Sequence, residues 1–332
     1  MGEKPAILVT GGAGYIGSHA ALALLDAGWP VVVLDNLVTG FRWAVPDGAV
    51  FVEGDIADSS LVGGLIDAHE IAAIMHFAGS VVVPESVENP LKYYDNNTAR
   101  SRTLVATAIA HQVRHFIFSS TAAVYGIPDT IPASESMPTD PINPYGRSKL
   151  MTEWMLRDTA AAHPMNYCAL RYFNVAGADP AGRSGQSTAG ATHLIKVAVE
   201  AALGKRDGVA IFGTDYDTPD GTGVRDYIHV SDLAAAHIDA LEKLIAKPND
   251  SHILNCGYGR GFSVLEVLDS VDRMAGSQIS RTMEPRRAGD PDALTADNRL
   301  ILGTLPWRPE HDDLDGIVRD ALAWEKSLGE KA

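Results

Sequence analysis

Apolar residues in this chain gather in short unbroken runs at Ala6–Val9, Val31–Leu34, Val50–Val52, Ala73–Ala78, His115–Ser119 and Tyr167–Arg171. Longer helix-like stretches separate them, at Tyr15–Ala27, Leu61–His69, Lys92–Ala110 and Tyr145–Ala162. Runs too short for helices, and apolar without alternation, predict strands buried on both faces. Helix-length segments between them predict crossovers. The pattern is therefore α/β: a doubly wound parallel sheet. Such sheets collect ligands beyond the carboxyl ends of their strands.

From about Gly177 the pattern loosens. Gly177-Ala-Asp-Pro-Ala-Gly-Arg-Ser-Gly185 and Gly213-Thr-Asp-Tyr-Asp-Thr-Pro-Asp-Gly-Thr-Gly223 read as loops between a few helices and short strands. Leu314–Leu328 reads as an amphipathic helix. The expected division is a dinucleotide-binding domain over residues 1–176 and a smaller C-terminal substrate-binding lobe over 177–332. Residues 225–250, with a helix at Ser231–Ala246, are able to fold back on the first domain.

Composition narrows the function classes. The chain has 332 residues, 46% hydrophobic and 21% charged, with a formal net charge of −15. That balance argues against a nucleic-acid partner or an anionic membrane surface. No apolar run approaches a membrane span. Only Cys168 and Cys256 are present, which points to a reducing compartment without a disulfide framework. With no signal-peptide pattern before the first strand, a cytoplasmic location is expected.

The most telling chemistry lies at Gly11, Gly14 and Gly17, between the first strand and the first helix. One glycine permits the tight turn, the next lets backbone approach a pyrophosphate, and the third lets helix pack on strand. The helix start then offers free N–H groups and a positive dipole end. Asp35, 21 residues after Gly14, ends the next strand. A carboxylate there accepts hydrogen bonds from ribose hydroxyls and repels a 2′-phosphate. Asn36 and Leu37 supply no cation, so the expected cofactor is NAD rather than NADP.

A second signal is Tyr145-Gly-Arg-Ser-Lys149, which puts Tyr and Lys one helical turn apart on one face. A free phenol, with a pKa of about 10, is a poor base at neutral pH. A neighbouring ammonium and an oxidised nicotinamide would lower it. Upstream, Ser119-Ser120-Thr121 places hydroxyls beyond a strand end, where one can share the proton of a reacting alcohol. His111 and His115 straddle a helix–strand junction with no acidic partner nearby, so no metal site is expected.

These blocks resemble the extended short-chain dehydrogenase/reductases, Rossmann-like proteins, and within them the UDP-galactose (UDP-glucose) 4-epimerase family. The similarity runs through essentially the whole chain. It adds Gly54-Asp-Ile56, His76-Phe-Ala-Gly79, Pro84-Glu-Ser86, Tyr93-Tyr-Asp-Asn-Asn97, Arg171-Tyr-Phe-Asn174 and Ile211-Phe-Gly-Thr-Asp-Tyr216. The most specific blocks are Arg225-Asp-Tyr-Ile-His-Val230 and Pro285-Arg-Arg-Ala-Gly-Asp290. The resemblance implies NAD contacts at Gly11, Gly14, Tyr15, Ile16, Gly17, Asp35, Asn36, Asp55, Ile56, Phe77, Ala78, Gly79, Asn96, Ser119, Tyr145, Lys149 and Tyr172. It implies UDP-sugar contacts at Thr121, Tyr145, Asn174, His193, Leu194, Phe212, Arg225, Arg287, Asp290 and Leu294. Tyr145, Lys149 and Thr121 would be catalytic. The arginines can pair with a diphosphate, Phe212 offers a face to uracil, and Asp290 can accept ribose hydroxyls. His229 reads as structural. The implied assembly is a homodimer.

Departures from the family pattern matter. Thr121 stands where the family commonly has a catalytic serine. Val81 stands at a ribose-binding lysine, His193 at an asparagine, and Leu294 at a size-limiting tyrosine. The implied reaction inverts C4 of UDP-glucose and UDP-galactose through a 4-keto sugar. The alternatives are 4-epimerisation of a UDP-N-acetylhexosamine or UDP-pentose, or a nucleotide-sugar dehydrogenase or reductase. A dehydratase is disfavoured, because Ala122-Ala123 stand where carboxylates would be needed. A non-enzymatic scaffold is disfavoured by the presence of both Tyr145 and Lys149.

Overall fold

The computed structural model describes residues 4–287 and 290–331. Ala288 and Gly289 of the Pro285–Asp290 block lie outside the described residues. Strands β1 (Ala6–Thr10), β2 (Val31–Asp35), β3 (Val50–Glu53), β4 (Ile71–His76), β5 (His115–Thr121) and β6 (Asn166–Tyr172) form a parallel sheet. Its order from one edge is β3, β2, β1, β4, β5, β6, then His252–Cys256. This seventh strand pairs in parallel with β6, from His252 opposite Cys168 to Cys256 opposite Tyr172. Its polar ends and few aliphatic residues hide it among loop-rich sequence.

Side-chain parity explains the two core layers. Ile7, Val9, Val31, Val33, Met75 and Ile117 face α1 (Tyr15–Asp26) and the helix Val230–Ala246, meeting Ala20, Leu24, Leu233 and Leu241. Leu8, Val32, Leu34, Ile74, Phe116 and Phe118 face the opposite way, onto Val62 of α2 (Ser59–His69), Leu104 and Leu156. Both faces are covered, so the strands are apolar without alternation.

Two local differences from the sequence pattern have physical causes. The helix expected over Lys92–Ala110 is three pieces: Pro90–Tyr93, a widened π turn Tyr94–Ala99, and Arg100–Ala110. Asn97, in the widened turn, accepts from Ser80 N at 2.7 Å and donates to Ser80 O and Ser148 Oγ. β4 stops at His76 rather than Ala78, because the N–H groups of Phe77 and Ala78 both turn onto Thr10 O.

The second half adds small strands and helices. Asn174–Ala176 pairs with Tyr227–His229, Val209–Phe212 with Arg281–Glu284, and Val224–Arg225 with both Phe262–Ser263 and Ala293–Leu294. A third apolar cluster joins Ile195, Ile211, Val267 and Val318 of this region.

Candidate active site

The glycine turn has the geometry of a cradle. Gly11 has φ +72, and a Cβ there would lie 2.5 Å from Ala78 N. A Cβ on Gly17 would lie 2.2 Å from Gly11 O. Only glycine fits either place, so backbone stays open in front of α1. Gly14 caps that helix, and the first-turn N–H groups at Tyr15, Ile16 and Gly17 have no intrahelical acceptors. A dinucleotide pyrophosphate matches this donor set. The Tyr15 side chain points away, its hydroxyl donating to Gly177 O at 2.7 Å.

Asp35 is buried, accepting from Ala13 N at 3.0 Å and Leu37 N at 2.8 Å. Both bonds aim its carboxylate at the turn. Asn36 is exposed, and its Oδ1 accepts from Val38 N. Asp55 accepts from Ala57 N and pairs with Arg100, whereas the Ile56 side chain belongs to the core. The Phe77 ring lies 4.8 Å from that of His237. A Cβ on Gly79 would sit 3.6 Å from Lys149 Nζ, and Asn96 donates to Ser80 Oγ at 2.9 Å. Val81 is half exposed at this rim.

The ends of β5 and β6 gather Ser119, Thr121, Tyr145, Lys149 and Tyr172, all buried. The helix Pro144–Ala162 begins sharply. Pro144 takes its first position, and Asn143 Oδ1 accepts from Gly146 N at 2.8 Å. A Cβ on Gly146 would lie 2.6 Å from Ala123 O, so glycine lets the helix approach the turn after Thr121. Thr121 hydrogen-bonds the Tyr145 hydroxyl and also accepts from Ala123 N at 3.1 Å. Ser119 and Tyr172 share a hydroxyl–hydroxyl bond. The Tyr93 ring meets that of Tyr145 edge-on at 6.5 Å.

Electrostatics here differ from the simple Tyr–Lys reading. Burial pushes the Tyr145 phenol up, opposed by the bond to Thr121. The Lys149 amine donates to Ser119 O at 2.9 Å, and burial lowers it to about 8. In the protein alone, burial thus outweighs any pull of Lys149 on the phenol. Buried His76 at the end of β4 is held neutral, lowered to about 3 by burial and then by Lys149. It bonds Thr10 Oγ1 at 2.7 Å and Ser101 Oγ at 2.8 Å.

The remaining candidate residues form two groups in the second half. Asn174, His193 and Leu194 line one narrow cavity with Tyr227, whose hydroxyl bonds Asn174. Phe212, Arg225, Arg287 and Asp290 form the other. The Arg287 guanidinium lies 3.8 Å from the centre of the Phe212 ring, and Arg225 lies 4.0 Å from Asp290. Arg286 instead pairs with Asp215 and Asp292. Leu294 pairs with Arg225 and packs against the cluster of Ala122, Val124, Tyr125, Ala133 and Leu150, whose first member follows Thr121 in the chain.

Sequence reasoning missed several residues. Tyr216, under the Arg286 guanidinium at 4.0 Å, feels the charges of Asp290 and Arg225. Its signal in the sequence is its place at the end of the Ile211–Tyr216 block, which gave it no role of its own. Glu153 and Arg171 form a buried ion pair. The absence of an acidic partner near His111 is corrected: Asp67 lies 2.8 Å from its Nδ1, because α2 packs against the helix Arg100–Ala110. His115 turns instead to Asn166. His229 Nδ1 accepts from Ser231 N at 3.0 Å, capping the helix Val230–Ala246.

Residues 7–257 match the family described as NAD dependent epimerase/dehydratase. A UDP-glucose 4-epimerase of Azospirillum brasilense is 58% identical over 325 residues, 98% of this chain and 93% of that protein. The UDP-glucose 4-epimerase of Brucella ovis, solved in complex with NAD, superposes with a TM-score of 0.93 at 44% identity, covering 96% of this chain and 98% of that one. The UDP-glucose-4-epimerase of Stenotrophomonas maltophila, with bound NAD and formylated UDP-arabinopyranose, gives 0.95 at 38% identity, covering 99% and 100%.

Proposed function

The chain belongs to the NAD dependent epimerase/dehydratase family, and on that premise we propose that it is a UDP-glucose 4-epimerase, interconverting UDP-glucose and UDP-galactose with tightly held NAD. The observation that carries this reading is the buried Thr121–Tyr145–Lys149 group at the ends of β5 and β6, beside a turn that only glycine fits.

NAD held by Gly11, Gly14, Gly17 and Asp35 supplies a reversible hydride acceptor. The other steps belong to side chains. Tyr145 takes the proton of the sugar 4-hydroxyl, and Thr121 shares it. The Tyr145 phenol is raised by burial, so its working ionisation requires positive charge brought close by the bound nicotinamide. Lys149, anchored on Ser119 O, would hold the nicotinamide ribose. The 4-keto sugar turns over while the nucleotide stays fixed, which requires firm contacts on the nucleotide alone. Arg225 and Arg287 suit the diphosphate, and Phe212 suits the base. Tyr145 then returns the proton to the C4 oxygen as hydride comes back to the opposite face of C4. Ala122 and Ala123 offer no carboxylate for eliminating water.

In this reading residues 1–176, with 225–250, hold NAD, and 177–332 holds the UDP-sugar. We further propose a cytoplasmic homodimer. Support for self-association comes from a groove lined by Tyr94, Thr98, Met151 and Met155, with Leu91 and Trp154 exposed on the same helical segments. The purified protein, given UDP-galactose without added NAD, should yield UDP-glucose. Stoichiometric release of NADH with an oxidised sugar would replace the reading with a dehydrogenase.

A further inference from the structure

The helix Pro144–Ala162 carries a third member of its buried row. Tyr145, Lys149 and Glu153 recur every four residues, and three consecutive residues of β5 meet them. Thr121 bonds Tyr145, Ser119 O accepts from Lys149, and the Ser120 hydroxyl donates to Glu153 Oε1 at 2.5 Å. Glu153 is 2% exposed. Arg171 of β6 grips it with two bonds, Nε to Oε1 at 2.9 Å and a terminal nitrogen to Oε2 at 2.5 Å.

The same guanidinium reaches past the helix. Its other terminal nitrogen donates to the Tyr125 hydroxyl at 2.9 Å, which donates in turn to Asn255 Oδ1 at 2.7 Å. Asn255 Nδ2 donates to Ala133 O at 2.8 Å, and Ala133 N donates to Thr295 O. The segment bearing Thr121 is therefore tied to one ion pair from both sides, by Ser120 before it and Tyr125 after it. Beyond Tyr125 the chain of bonds ends next to Leu294.

We propose that Glu153, Arg171, Ser120 and Tyr125 are positioning residues, which lock the Thr121 hydroxyl in register with the Tyr145 phenol and couple that register to the strand beside the sugar. None touches substrate; they act through Thr121. A buried, bidentate, fully bonded charge pair has one low-energy geometry, so it sets position more sharply than apolar packing would. The inference rests on the epimerase reading for its activity arm only.

Removing Glu153 alone strands a buried guanidinium and would unfold the protein. The test therefore uses Ser120→Ala, Tyr125→Phe and their double variant, which leave the ion pair whole. Two quantities are measured on the NAD-loaded protein. The first is kcat and KM for UDP-galactose across pH. The second is the phenol ionisation of Tyr145, taken as the ultraviolet difference between each protein and its Tyr145→Phe version. In the double variant kcat should fall roughly ten- to a hundredfold with KM held within about twofold, as expected for misplaced reacting groups. The acid limb of the pH profile and the phenol titration should both move upward. Ser120→Thr, which keeps the hydroxyl bonded to Glu153, should leave both near the values of the unmodified protein. Equal losses in kcat, KM and thermal midpoint with an unmoved titration would reduce the network to scaffolding and overturn the proposal, as would unchanged kcat. If the unmodified protein fails to epimerise but the titration still moves, the functional reading falls and the positioning role stands.

Discussion

Leu294→Ala should change which sugar the protein accepts. Leu294 is held from both sides. Its carbonyl accepts from Asp226 N at 3.2 Å, its strand pairs with Arg225, and its side chain packs against the apolar cluster that begins at Ala122. Truncation removes three carbons from a half-buried site, so the stability cost should be about half the fully buried range, roughly 1–2 kcal/mol. The protein should stay folded. The gain is space against the cluster that follows Thr121, and the proposed size limit puts that space on the sugar, whose 4-hydroxyl must reach Tyr145. An N-acetyl group in place of a hydroxyl adds three heavy atoms, nearly the volume the substitution releases. Relief of that misfit should shift relative kcat/KM toward UDP-N-acetylglucosamine by roughly 10- to 200-fold, the range of a pocket misfit of about 1–3 kcal/mol. The assay compares kcat/KM for UDP-glucose and UDP-N-acetylglucosamine in both proteins. An unmoved ratio in a folded variant would refute the assignment of residue 294 as the size limit, and attention would pass to His193 or the loop from 177 to 190.

Tyr145→Phe should cut turnover at least about a hundredfold, the scale of losing a general acid–base, with NAD still bound; near-normal turnover would remove the residue from that role. Thr121→Ser keeps the hydroxyl and should be tolerated, whereas Thr121→Val should lose activity with little change in KM. Gly17→Ala puts a methyl 2.2 Å from Gly11 O and should purify with little NAD, seen as lost nicotinamide on denaturing extraction. Stability should fall with acid. His19, His76 and His237 are lowered by burial to about 4, about 3 and about 4. Their stabilisation is complete above the unfolded value and is lost as pH falls toward the folded ones. Asp226, raised by burial to about 6, acts oppositely, losing stability as pH rises through that value. His115, His193 and His252 are lowered by burial as well, so the histidines outweigh the raised aspartate and stability should fall as pH drops below about 6. Urea midpoints that stay level from about pH 6.5 to 4.5 would contradict it.

The sequence disclosed what local pattern determines. β1 to β6 are runs apolar enough to be seen without neighbours, and the glycine turn is legible because its chemistry is local. The strand His252–Cys256 is not, because its place is decided by the free edge of β6 rather than by its own composition. The π turn at Tyr94–Ala99 hides for a similar reason: what widens it is Asn97 reaching Ser80. Among the candidate site residues, Tyr145 and Lys149 announce themselves by spacing. Glu153 stands at the next step of the same row, yet reads as a surface charge. Its burial depends on Arg171, eighteen residues on and across a strand, and charged pairs reveal themselves only in three dimensions.

The order in which the chain emerges during synthesis gives the seventh strand a further meaning. Until residue 246 is free of the ribosome the apolar side of α1 has no helix Val230–Ala246 against it, and until residue 256 is free β6 presents an unpaired edge. An open, apolar strand edge recruits other chains. The first six strands are complete by residue 172, but they must wait some eighty residues for their seal. Slow translation between Tyr172 and Cys256, or any truncation in that interval, should therefore turn a well-patterned sheet into an aggregating one.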